Sequence, residues 1–257
     1  MSKGLLDPKV DFVFKNIFGS PNHPEILISF LNATLKAKKK IVNVDIKKTD
    51  IEKQYIEDKY SRLDVKATTS NDEIINIEIQ LKNENNMVKR SLYYLSKMYE
   101  EQLNEKEDYS KLVRTVCINI LNFKYLKTDN FHTGYRFKEI ESNEELTDIM
   151  EVHFIEIPKL QDSSDEKDML VAWTEFLKDP ESEKVRGLEL SIEEIRQAKD
   201  ELIRMSNDST QRELYDMRAN SLRDKMSELN AAERKGIEKG REEGRKEEKI
   251  KIARNMK

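Results

Sequence analysis

Residues 62–81 read RLDVKATTSNDEIINIEIQL, and their alternation decides what this chain can fold into. Side chains on a strand point to opposite faces in turn. Over 63–68, Leu63, Val65 and Ala67 share one face, while Asp64, Lys66 and Thr68 share the other. Over 74–81, Ile75, Ile77, Ile79 and Leu81 share a face, opposite Asn76, Glu78 and Gln80. The polar residues Thr69–Glu73 between the runs suit a short turn, so the segment reads as a hairpin. Such a hairpin brings Asp64 and Glu78, fourteen residues apart, onto one face. Ile74 falls on that polar face, which implies that the face is covered at one end. Two neighbouring carboxylates repel each other unless a positive charge sits between them. Mg²⁺ suits the place, since it takes one or two carboxylates plus waters and substrate phosphates. A site of that kind polarises a phosphodiester and activates water. The same alternation also fits an ordinary solvated hairpin.

On the N-terminal side, Phe12, Phe14, Ile17 and Phe18 before Gly19 predict a short helix or turn packed on the core. Pro24 suits the first turn of a second helix, where its missing N–H costs nothing. Ile26, Leu27, Phe30 and Leu31 continue that helix at the right spacing. Residues 41–46 read as a strand, and the acidic stretch 49–60 as a connection. On the C-terminal side, Met87, Ser91, Tyr94, Leu95, Met98 and Gln102 mark one face of a helix reaching about residue 103. Residues 113–121 and 150–157 read as strands. From about 165 the pattern is helical, with one stripe at Leu170, Trp173, Phe176 and Leu177 and another at Ile192, Ile195, Leu202 and Ile203. Strands early and helices late predict an α/β core with a helical C-terminal region.

Across 257 residues the chain is 37% apolar and 37% charged, enough for a core beneath an ionic surface. No run approaches a membrane span, the N-terminus lacks the apolar stretch of a secretory signal, and one cysteine, Cys117, excludes a disulfide framework. A cytoplasmic protein is expected. The net charge of −4 hides a segregation. Residues 1–48 carry nine basic and four acidic groups, residues 139–200 seven and nineteen, and residues 231–257 ten and six. Basic ends can neutralise phosphates locally, though a solvated surface explains each cluster equally well. In the tail, Gly236, Gly240 and Gly244 recur every four residues. Each costs a helix about 1 kcal/mol relative to alanine, so a solvated, frayed helix is expected. His23, His132 and His153 show no ligand spacing and read as structural or solvated. Cys117 reads as core. No phosphate-cradling glycine loop and no nucleophile elbow is present, so no small-molecule cofactor is expected.

Four stretches together give a resemblance: DPKVDFVFKNIFG (7–19), DKYSRLDVKA (58–67), IEIQ (77–80) with RSLYYLSKMY (90–99), and the glycine-punctuated tail. With these the chain resembles the PD-(D/E)XK nuclease-family transposases, the Rpn-like recombination-promoting nucleases of bacteria. The first three stretches cover residues 7–103, and the implied fold extends to about 160. The resemblance implies a restriction-endonuclease-like αβββαβ core over 1–160. A helical region over 161–230 and a charged helical tail over 231–257 would follow it. It makes Asp64 and Glu78 the acidic metal ligands and Mg²⁺, or Mn²⁺, the cofactor. Two positions beyond Glu78 the family pattern has lysine, whereas this chain has Gln80. Glutamine carries no charge and exchanges no proton near neutral pH, but it can orient a water, and Lys66 can supply a displaced charge. Asp11, in the opening motif, would complete the site. Gln54, Tyr55, Glu57 and Lys59 can line the same cleft, and Arg90 can touch phosphate.

The expected function is that of a metal-dependent DNA endonuclease that promotes recombination or mobilises DNA, acting alone or as a homo-oligomer. Two other readings stay open. Gln80 in place of lysine favours a nuclease-derived DNA-binding module that does not cut. The helical second half and charged tail favour an oligomeric interaction protein.

Overall fold

A computed structural model describes residues 4–37, 39–47, 65–165 and 167–255. The chain divides into two compact units, 1–212 and 213–257.

In the first unit, α1 (Asp11–Phe18) and α2 (Pro24–Leu35) come first. Helix α1 buries Val13, Phe14, Ile17 and Phe18. Phe14 stacks on Phe18 at 4.6 Å, and Phe18 meets Phe30 of α2 edge-on at 5.4 Å. Pro24 occupies the first turn of α2 as its chemistry favours. That helix ends where Lys36 turns left-handed at φ 46°. The side chain of Asn32 then donates to the Ile41 carbonyl at 2.8 Å and accepts from its N–H at 2.9 Å. Those bonds occupy the backbone of Ile41, so the strand expected over 41–46 starts later, as β1 (Val44–Lys47).

β2 (Val65–Thr69) and β3 (Ile74–Gln80) form the antiparallel hairpin read from the sequence, with Lys66 opposite Asn76 and Val65 opposite Ile77. Asp72 takes φ 61° in its turn. Helix α3 (Met87–Glu100) then leads to β4 (Thr115–Leu121), parallel to β3, and the chain returns through β5 (His132–Lys138) and β6 (Glu145–Glu156). The six strands stand in the order β1-β2-β3-β4-β6-β5. β4, in the middle of the sheet, is buried at every residue, as a parallel strand covered on both faces requires. β6 runs well beyond the expected 150–157, because its first half pairs with the edge strand β5.

Two layers cover the sheet. Met87 and Leu95 of α3 pack with Cys117, Leu121, Val152 and Phe154 on one face. Ile74 packs against Tyr94 and Met98 of the same helix, which is the cover its position on the polar face implied. On the other side lie α1, α2, α4 (Met169–Lys178), α5 (Glu183–Glu189) and α6 (Glu193–Asn207). Trp173 of α4 is fully buried, meets Phe18 edge-on at 5.3 Å, and donates its indole N–H to Ser29 at 3.1 Å. Ile195 and Leu202 of α6 are buried, whereas Ile203, expected in the same stripe, is 38% exposed. The N-terminal segment is tied to these late helices, since Leu6 donates to the Ser206 hydroxyl and Lys9 to the Leu177 carbonyl.

The second unit consists of the later part of α7 (Ser209–Asn255). The helix continues through Gly236, Gly240 and Gly244, and space beside each glycine is open. Among the described residues no helix is long and apolar enough to cross a membrane.

Candidate functional site

Glu78 is the chemical centre of the α3 face. It stands on β3 with Asn76 and Gln80 on the same side, beside Asn119 of β4 in the parallel register. Its side chain is 1% exposed. A carboxylate stripped of water needs a counter-charge, and Arg90, in the first turn of α3, supplies it: Nε donates to Glu78 Oε2 at 3.0 Å. Among the described residues the other oxygen, Oε1, is buried without a hydrogen-bond partner, and so is Oδ1 of the fully buried Asn76. The amides of Asn76 and Gln80 are close enough to favour the charged form weakly, yet neither makes a well-formed bond to Oε1. Burial outweighs these contacts and Arg90 and pushes the Glu78 carboxyl above the usual range.

Arg90 is held at two points. Besides the carboxylate, its guanidinium carbon lies 5.1 Å from the centre of the Tyr94 ring, a cation–π distance. Its side chain is 24% exposed, and among the described residues its hydrogen bond is the one from Nε. The surrounding polar groups are tightly paired. Ser91 of α3 donates to Asn119 at 2.8 Å, and Asn119 donates to the His153 carbonyl at 3.1 Å. Cys117 is buried beneath them, as expected, and burial pushes its thiol up to about 12, so it is no nucleophile.

Lys66 stands opposite Asn76 on the hairpin and so shares a face with Glu78. Its ammonium lies 4.0 Å from the Glu101 carboxylate at the far end of α3. Burial lowers its pKa, Glu101 opposes that shift, and Lys47 adds to it. Gln80 ends β3 half-buried. Asp11 is half-buried in the first turn of α1, a helix that packs on β3, and its carboxylate accepts from the Phe12 N–H at 2.7 Å. Asp64, Gln54, Tyr55, Glu57 and Lys59 lie outside the described residues. The structure therefore brings Lys66, Glu78 and Gln80 to one face and puts Asp11 on a different layer. Among the described residues no group of three or more His, Cys, Asp or Glu is placed to hold a metal ion. What the sequence reading missed is the partnership of Arg90 with Glu78. Its only local signal is an arginine in the first turn of the helix after the acidic strand.

A second polar assembly lies at the other end of β3. A cleft of about 690 Å³ there is lined by Lys36, Lys39, Glu73, Arg114, Arg136 and Glu145 among others. Two of its arginines are spent on carboxylates: Arg114 bridges Glu73 and Glu151, and Arg136 bridges Glu151 and Glu145. Glu151 also accepts from His153 at 2.7 Å, and His153 meets His132 at 2.9 Å. Burial alone would raise Glu151, but His153 and Arg114 hold it down at about 2. This network fastens β5, β6 and β4 together.

Comparison with known proteins gives one family match. The description PD-(D/E)XK nuclease family transposase matches residues 8–232. The chain belongs to this family. Neither a curated protein nor a solved structure gives a match. The αβββαβ order of this PD-(D/E)XK chain, with the open six-stranded sheet, is thus restriction-endonuclease-like, and membership supports a nuclease-like function.

Proposed function

We propose that this transposase-family chain is a divalent-metal-dependent DNA endonuclease whose site is built around Asp64 and Glu78. The observation that carries the reading is Glu78 Oε1: a buried carboxylate oxygen with no donor among the described residues, on the same strand face as the likewise unpartnered Asn76 Oδ1. A buried acceptor without a donor costs about 1–3 kcal/mol, more when charged, and a hard cation is the partner that oxygen atoms suit. Glu78 thus fits the group the family implies. Asp64 and Glu78 would hold Mg²⁺ or Mn²⁺, which when bound supplies Lewis acidity toward a phosphodiester and a water acidic enough to attack it.

The chain's own residues do the rest. Glu78 is held in one orientation by Arg90. Gln80, on the same face and two residues on, offers an amide to orient the attacking water. It carries no charge, so Lys66 is the cation of this face nearest in role to the missing lysine. Its lowered pKa makes its proton easier to transfer than that of an exposed lysine. Asp11, on a different layer from Glu78, has no part in this site as proposed. Residues 1–160 form the nuclease-like core in this reading, 161–230 a helical region and 231–257 a tail.

The test is cleavage of supercoiled plasmid in Mg²⁺, Mn²⁺, Ca²⁺ or EDTA by the parent, Asp64→Ala and Glu78→Ala. Nicking that needs Mg²⁺ or Mn²⁺ and is lost in both variants is expected. Binding of DNA without cleavage in any metal would favour the non-cutting module that Gln80 in place of lysine suggests.

A further inference from the structure

Arg90 carries chemistry beyond neutralising Glu78. A guanidinium has five N–H donors in a fixed fork, and here one of them, Nε, is spent on Glu78 Oε2. The central carbon of the group lies 5.1 Å from the centre of the Tyr94 ring, a second contact besides the carboxylate. Nη1 and Nη2 donate to no described residue, although the side chain is partly exposed. Glu84 acts on the group through charge, while its terminal donors make no hydrogen bond to a described residue. Terminal guanidinium nitrogens in this state match the paired oxygens of a phosphodiester. The first turn of α3 adds its positive dipole end to the same place.

We propose that Arg90 is a phosphate-holding residue, anchored through Nε by Glu78 and presenting Nη1 and Nη2 to a backbone phosphate of DNA. This rests on the reading of Glu78 as part of a nuclease site and adds how the substrate is held there. One face then offers two complementary features about one side chain apart: an unpartnered carboxylate oxygen for a cation, and an arginine fork for the phosphate. The carboxylate thus has two duties, one oxygen anchoring the arginine and the other left for the cation.

The experiment is equilibrium binding of fluorescein-labelled duplex DNA by the full chain in EDTA, across a salt series, so that neither metal nor cleavage enters. Each phosphate contact contributes about 0.9 to the slope of log K against log salt. Arg90→Gln is expected to weaken binding about tenfold at fixed low salt and to lower that slope by about one. Because Arg90→Gln leaves a buried carboxylate uncompensated, a Glu78→Gln/Arg90→Gln double variant accompanies it. The double variant has no charge to compensate, so it keeps the fold, and it is expected to show the same reduced slope. A role confined to packing or charge compensation would leave the slope of the folded double variant at the parent value, and that result overturns the proposal. A parent that binds DNA with a slope unchanged by either variant overturns Arg90's role and leaves the nuclease reading standing. A parent that binds no DNA at any salt overturns both.

Discussion

Acid should unfold this protein in a way that one histidine controls. His132 of β5 lies against His153, with Lys36, Asp168 and Glu151 as the other charged groups around it. Burial first, and then the neighbouring His153 and Lys36, lower its pKa from 6.5 to about 4. The folded state therefore resists a proton that the unfolded chain takes up readily. Between pH 6.5 and 4 the unfolded chain binds more protons, so stability falls as pH falls. For a group at 6.5 unfolded and about 4 folded, the loss is about 2.5 kcal/mol at pH 4.5 and almost nothing at pH 7. Glu151 works in a lower window. Its carboxyl, held at about 2, contributes stability that is present above about pH 4.5 and disappears as pH falls toward 2. Urea unfolding of the parent and of His132→Gln, each at pH 7.0 and pH 4.5, separates the two. The drop in stability between the two pH values should be smaller in His132→Gln by about 2 kcal/mol. Equal drops in both proteins would refute the placement of His132 as a half-buried neutral group.

Other outcomes follow from the same contacts. Trp173→Ala removes a fully buried indole packed on Phe18 and Phe176 and should cost about 3–5 kcal/mol in denaturant unfolding; a loss below about 1 kcal/mol would show that α4 does not share the core of α1 and α2. Arg114→Met leaves Glu73 and Glu151 buried with fewer partners and should cost about 3 kcal/mol, with the loss shrinking as pH falls toward 2 and Glu151 protonates; an unchanged urea midpoint would contradict the network. Mg²⁺ at a hundred times its dissociation constant should stabilise the parent by about 2.7 kcal/mol in thermal unfolding and leave Glu78→Gln unmoved; equal stabilisation of both would place the cation elsewhere.

How much of this was legible beforehand varies with the kind of signal. The hairpin of β2 and β3 and the helix α3 follow from local periodicity, because burial of one face imposes a period of two or about 3.6 on the sequence. β4 was legible as a continuous apolar run. β5 was not: HTGYRFK is exposed over most of its length, and an edge strand held by backbone bonds to β6 needs no apolar alternation. The late start of β1 depends on Asn32 capturing Ile41 across nine residues, a side-chain contact that periodicity does not encode. The His132–His153–Glu151 chain needs the β5–β6 register, which no sequence spacing reveals. The candidate site was legible in part for the same reason. Glu78, Gln80 and Lys66 share a face by alternation, whereas the pairing of Glu78 with Arg90 requires α3 to fold back over β3. Asp64, the other half of the acidic pair, lies outside the described residues.

The central claim is that an oxygen of Glu78 serves a metal ion during DNA cleavage. The most direct measurement is the rate of supercoiled-plasmid nicking in Mg²⁺ by the parent and by Glu78→Gln. This substitution keeps the shape of the side chain and an acceptor for Arg90, and removes the anionic oxygen. Metal-dependent nicking by the parent, with loss of all detectable nicking in a folded Glu78→Gln protein, is the expected result. Nicking by Glu78→Gln at the parent rate would contradict the account.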